Sequence, residues 1–100
     1  RMKPTAFLIN TARGGVVDHA VLATALDSGQ IAGAALDVQE TEPPDLSQAP
    51  YNDPRVIVTP HAAFVSEESL ADLRTRTAKQ VAAWLTGNVP ENVVNPEVLN

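Results

Sequence analysis

Three apolar runs of strand length punctuate the chain: AFLINTA over residues 6–12, IAGAALDV over 31–38 and VIVTP over 56–60. Each is continuous rather than alternating, the pattern of strands covered on both faces. The alanines of AGAAL would also suit a buried helix. Gly33 favours a strand, because a small residue there lets a helix approach closely. Between the first two runs lies VDHAVLATALDSG. Asp18 is placed to cap a helix N-terminus and Gly29 to follow its last turn. Val21, Leu22, Ala25 and Leu26 recur as one helical face. Strand, helix and strand of these lengths make a right-handed βαβ unit with parallel strands.

The connection over 39–55, QETEPPDLSQAPYNDPR, holds Pro43, Pro44, Pro50 and Pro54 and reads as a loop, since proline removes backbone donors and blocks helix interiors. A loop that long in a compact domain is usually functional or disordered. After the third run, SEESLADLRTRTAKQVAAWLTG predicts a long helix. Ser66 is its N-cap, Glu67 and Glu68 suit the positive end of its dipole, and Gly87 ends it. Leu70, Leu73, Thr77, Val81 and Leu85 form the stripe expected to be buried, and Trp84 is expected to pack. The order is β-α-β-loop-β-α, an α/β fold amounting to half of a doubly wound, Rossmann-like parallel sheet over residues 1–87. Residues 88–100 read as an extended tail. The opening RMKP reads like the last turn of a helix followed by a break, so the expectation is a piece of a longer chain.

Composition narrows the function classes. With 100 residues and 44% hydrophobic content, the chain suffices for one small core. Its net charge is -5 and no basic run appears, which argues against a nucleic-acid surface. The absence of cysteine excludes disulfides and thiolate metal sites and is compatible with a reducing compartment. No apolar run approaches the roughly 20 residues needed to span a bilayer. The RGG at 13–15 is not a phosphate-binding loop, and its glycines read as permitting a tight turn into the helix.

Ligands of open parallel sheets bind beyond the carboxyl ends of the strands. Arg13 stands at the end of the first strand, Asp37 at the end of the second with Glu42 following in the loop, and His61 after the third. If the strands are near neighbours, these groups converge on one small molecule. Arginine offers a planar fork for a carboxylate, and histidine is the natural acid–base group near neutral pH. Taken singly, each has a plainer reading: Arg13 a surface charge, His61 a packed or capping side chain, Asp37 a strand terminator, Glu42 a solvated acid. Their shared placement favours a ligand site. His19 reads as exposed, and Tyr51 as a ring that anchors the loop.

The segments MKPTAFLINTARGGVVD, IAGAALDVQETEP and VIVTPHAA, in this order and spacing, resemble the D-isomer-specific 2-hydroxyacid dehydrogenases. HAAFVSEES and LTGNVPENVVN lean toward the corepressor-like branch of that family. The resemblance implies a catalytic set of Arg13, which grips the acid's carboxylate, His61, which moves the proton, and Glu42, which pairs with His61. It implies NAD-binding contacts at Thr11, Ala12, Arg13, Asp37, His61, Ala62 and Ala63, with NADP left open. The implied protein is a cytoplasmic, homo-oligomeric oxidoreductase acting on a small 2-hydroxy or 2-oxo acid, without membrane or direct nucleic-acid partners. An NAD(H)-sensing, corepressor-like binding protein is the alternative. Such enzymes are much longer and carry an upstream glycine-rich turn and a substrate domain. These 100 residues alone are therefore expected to be inactive and to self-associate, the tail being made to dock on a substrate domain. Gln39 stands where the family commonly has an aromatic, and Tyr51 where it commonly has leucine.

Overall fold

The computed structural model describes residues 2–99. The chain divides into two compact units after Ala63. In the first, strands β1 (Phe7–Asn10), β2 (Gly33–Leu36) and β3 (Val56–Val58) form one parallel sheet in the order β1-β2-β3. Each strand adds beside its predecessor, as strands do on one side of the switch point of a doubly wound sheet. The strands are shorter than the apolar runs that announce them. The helix α1 (His19–Asp27) connects β1 to β2, and the loop over 39–55 connects β2 to β3. Parallel neighbours need crossovers of this length.

Register sorts the apolar side chains into two faces. Leu8, Ala34 and Val56 pair across the sheet on the side facing α1. There they meet Leu22, Leu26, Ile31 and Leu36, the buried core. Ile9, Ala35 and Ile57 pair on the opposite face. The runs were expected to be covered on both faces, but Phe7, Ile9 and Ile57 remain largely exposed. A continuous apolar run marks both faces as fit for burial; it does not supply the second cover.

Local rules set the ends of α1. The Asp18 carboxylate accepts from the N–H groups of Ala20 and Val21, both at 3.0 Å. Gly29 follows the helix at φ 67, the left-handed conformation that glycine adopts freely. Leu22 and Leu26 are buried and Ala25 half-buried, but Val21 of the expected stripe is exposed. Arg55 fastens the far end. Its Nη1 donates to the Leu26 carbonyl at 2.6 Å, while Nε and Nη2 grip both oxygens of Asp53. Gly33 has a different reason than expected. A Cβ there would lie 2.7 Å from the Arg55 carbonyl oxygen and 2.9 Å from the Phe7 ring, so a strand neighbour and a ring require the glycine, not a helix.

The second unit holds α2 (Glu67–Leu85) and a 3-10 turn at Pro96–Leu99. Ser66 and Ser69 exchange side-chain and backbone hydrogen bonds as a capping box, and Glu67 and Glu68 occupy the first turn. No residue of α2 is buried: Leu73, Val81 and Leu85 are exposed, as is Trp84. The stripe is real as a pattern but not as a core. The tail is not wholly extended, since Pro96 starts the 3-10 turn. At the other end, Met2 to Pro4 form no helical turn; the chain turns at Pro4 and Thr5 instead, and the part of the RMKP reading that falls on Arg1 lies outside the described residues.

Candidate active site

The register aligns Asn10, Leu36 and Val58 at the carboxyl ends of the strands, so the segments that follow leave one edge of the sheet. The order β1-β2-β3 meets the condition under which Arg13, Asp37, Glu42 and His61 share a rim.

Arg13 is carried by a turn that Asn10 organises. Asn10 is buried. Its Nδ2 donates to the Arg13 carbonyl at 2.9 Å and its Oδ1 accepts from the Ala12 N–H at 3.1 Å. The next residues form a short 3-10 turn, Gly14–Val16. This is the tight turn into the helix expected of the two glycines, made without a positive φ at either Gly14 or Gly15. A Cβ on Gly14 would lie 2.1 Å from the Gln39 carbonyl oxygen and 2.5 Å from the Glu40 nitrogen. Gly14 therefore lets the arginine turn lie directly against the backbone that leads to Glu42. The Arg13 side chain is exposed, with Nη1 donating to the Ala12 carbonyl at 2.6 Å.

Asp37 is buried and accepts three hydrogen bonds. The Thr59 hydroxyl donates to Oδ1 at 2.5 Å and the Ala62 N–H at 2.9 Å; the Ala63 N–H donates to Oδ2 at 2.9 Å. Chiefly the Thr59 hydroxyl, then the Ala63 N–H, hold its carboxyl below the usual carboxylate range. These bonds brace the turn that presents His61. That residue has φ 53, the one non-glycine in the left-handed region among the described residues. Its N–H donates to the Thr59 carbonyl at 3.0 Å, closing a three-residue turn over Pro60.

His61 Nδ1 lies 2.8 Å from Glu42 Oε2, while Glu42 Oε1 accepts from the Gln39 N–H at 3.0 Å. The imidazole first, then the Gln39 N–H, lower the pKa of Glu42, and the positive charge of Arg13 adds to this. Glu42 is thus a partner of His61 rather than a solvated loop acid.

Beside the dyad, a hollow of about 310 Å³ opens above the exposed sheet face. Ile9, Ala35 and Ile57 form its floor, and Thr11, Asp37 and Ala62 are among its walls. Ala63 also lines it; Ala12, Arg13 and His61 do not. An apolar floor with a few polar groups at one rim suits a flat heteroaromatic ring bearing one polar substituent. A larger apolar hollow, about 440 Å³, runs along β1 and α1, but its only ionisable group, Asp18, is committed to the helix cap. Among the described residues no cluster of His, Asp and Glu could hold a metal ion.

His19 corrects an expectation: it is buried, not exposed. Its Nδ1 meets the Tyr51 hydroxyl at 2.7 Å, and its N–H donates to Glu40 Oε1 at 3.2 Å. Tyr51 does anchor the loop, through its hydroxyl as well as its ring. Asn10, Gln39 and Thr59 went unremarked as supports. Asn10 and Thr59 could have been noticed as polar residues closing apolar strands; nothing local in the sequence marks the reach of Gln39.

Residues 1–63 match the family model described as D-isomer specific 2-hydroxyacid dehydrogenase, NAD binding domain. A glyoxylate reductase of Korarchaeum cryptofilum is 44% identical over 104 residues, covering 99% of this chain and 30% of its own length. The chain therefore spans about a third of the length of such relatives. Among solved structures, a D-lactate dehydrogenase of Lactobacillus jensenii with NAD+ is similar at TM-score 0.72 and 32% identity, covering 93% of this chain and 32% of its own. An NADPH-dependent glyoxylate/hydroxypyruvate reductase of Sinorhizobium meliloti, in complex with NADP and sulfate, gives 0.73 and 35%, covering 91% and 28%.

Proposed function

The chain belongs to the D-isomer specific 2-hydroxyacid dehydrogenases through their NAD binding domain, and from that premise we propose that it supplies the acid–base half of a reductase for small 2-oxo acids. The observation that carries the proposal is the Glu42–His61 contact, 2.8 Å long, made by a histidine whose chain neighbours Pro60 and Ala62 line an apolar hollow. Thr11, Asp37, Ala62 and Ala63 would hold a nicotinamide cofactor there, with Ala12 beside them in the chain. When bound, that cofactor supplies hydride chemistry. Glu42 accepts from Nδ1 of His61 and fixes the imidazole tautomer, which makes Nε2 the atom that delivers a proton to the carbonyl oxygen in reduction and withdraws it in oxidation. Arg13 offers the acid's carboxylate a bidentate partner. The positive charges of Arg13 and a protonated His61 also draw an anionic substrate to this edge. Glyoxylate, the substrate in the archaeal relative's name, is the first acid to test. The reading includes a homo-oligomer in the cytoplasm.

The test is NADH or NADPH oxidation with glyoxylate, hydroxypyruvate and pyruvate, in a form of the protein extended to the length of its relatives. His61→Gln should lower kcat by about 10²–10⁴. Arg13→Gln should act mainly on KM, by about 10–100-fold, the worth of one charged hydrogen-bonded contact. Unchanged turnover in His61→Gln overturns the proposal. Tight NADH binding with no turnover of any acid would return the sensor reading.

A further inference from the structure

We infer that Gln39 is a positioning residue for the His61–Glu42 pair: its side-chain amide ties the ends of β2 and β3 together, while its main-chain N–H holds the carboxylate that orients the imidazole. The inference rests on the acid–base role proposed above. Nε2 of Gln39 donates to the Leu36 carbonyl at 3.0 Å and to the Thr59 carbonyl at 3.3 Å. Leu36 closes β2, and Thr59 follows β3 two residues before His61. One amide group thus bridges the segment carrying Asp37 and the segment carrying His61. Two carbonyls can only accept, so the amide must present its nitrogen to them. The residue is buried, which shields these bonds from competing water.

The other half of the link is on the backbone. The Gln39 N–H reaches Glu42 Oε1 at 3.0 Å, and Oε2 of the same carboxylate meets His61 Nδ1 at 2.8 Å. Glu42 is therefore held at both oxygens. One holder is the imidazole; the other is a residue whose side chain is fastened where the imidazole's own turn begins. A shift of Gln39 moves the carboxylate and the Thr59 anchor together. A phenyl ring at this position has no donor, and no other aromatic side chain carries two N–H groups on one nitrogen, so this arrangement depends on the amide.

Satisfying those carbonyls does not by itself require Gln39. The Leu36 carbonyl already accepts from the Thr59 N–H at 3.0 Å, and the Thr59 carbonyl from the His61 N–H at 3.0 Å. Gln39→Met keeps the bulk, removes both donors and leaves neither carbonyl unpartnered, so the variant should fold.

The experiment follows the side-chain carboxyl carbon of Glu42 by NMR through an acid titration of the full chain, wild type and Gln39→Met. In the wild type Glu42 titrates below the ordinary carboxylate range, held down by the imidazole and the Gln39 N–H. In Gln39→Met the midpoint should move up toward that range. In an extended form that reduces a 2-oxo acid, kcat should fall about tenfold or more with KM nearly unchanged, as for a misplaced catalytic group. A folded Gln39→Met whose Glu42 midpoint does not move, even with lower thermal stability, overturns the inference and makes Gln39 a packing residue. Should the variant not fold, the wild-type side-chain amide protons of Gln39 decide. Slow exchange supports the bridge; fast exchange overturns it. Failure of every form to reduce an acid would sink the reductase reading, while the Glu42 titration would still judge Gln39.

Discussion

At the scale of single residues, the site depends on a missing side chain as much as on charged ones. Gly14 allows the arginine turn to touch the backbone at Gln39 and Glu40, and a methyl group there has no room. Gly14→Ala should destabilise the chain by about 1–3 kcal/mol, as overpacking does, and should displace the loop that carries Glu42. Gly15→Ala, next to it, meets nothing within 4 Å and has no positive φ. It should change stability by no more than about 0.5 kcal/mol. Urea unfolding of the two variants checks the contrast, and equal losses would contradict it. The charged residues were legible from their positions at three strand ends. The role of Gly14 was not, because the atoms that exclude its Cβ come from a distant stretch of chain. His19 escaped for the same reason: a histidine opening a helix is ordinarily solvated, and only Tyr51, 32 positions on, draws it inside.

Among elements, the turn after β3 is the most tightly specified. Asp37 braces it with three accepted bonds, and Glu42 grips its histidine. Both carboxyls titrate below their ordinary values. A depressed folded pKa means stability that is fully present above the unfolded value and is lost as pH falls through the folded one. The urea midpoint should hold steady from neutrality to about pH 5 and drop below about pH 4. Asp37→Asn should lower the neutral plateau and flatten part of that drop; an unchanged acid slope would count against the bracing role. The sequence announced α1 well, because Asp18 and Gly29 act through local geometry. It announced α2 equally well as a helix, through Ser66 and the acidic first turn. It misled about the burial of α2, since periodicity says which face could be covered and not whether a cover is present.

Across the whole molecule, an exposed sheet face and an edge strand invite association. Phe7 and Ile9 lie on β1, an end strand of the sheet, and Ile57 continues the apolar row. Sedimentation should show concentration-dependent self-association, which Ile9→Lys reduces by placing a charge on that face. A monodisperse monomer at high concentration would refute this. The loop over 39–55 differs in its economy of fastening. Gln39 and Glu40 secure its start, and Pro50, Tyr51, Asp53 and Arg55 its finish, while Asp45 to Ala49 stand in solvent. Its crest is bonded to Asn52 rather than to the dyad at its root, so a fluorescent label on the exposed side chain at Leu46 should report on the loop and leave the Glu42–His61 contact in place.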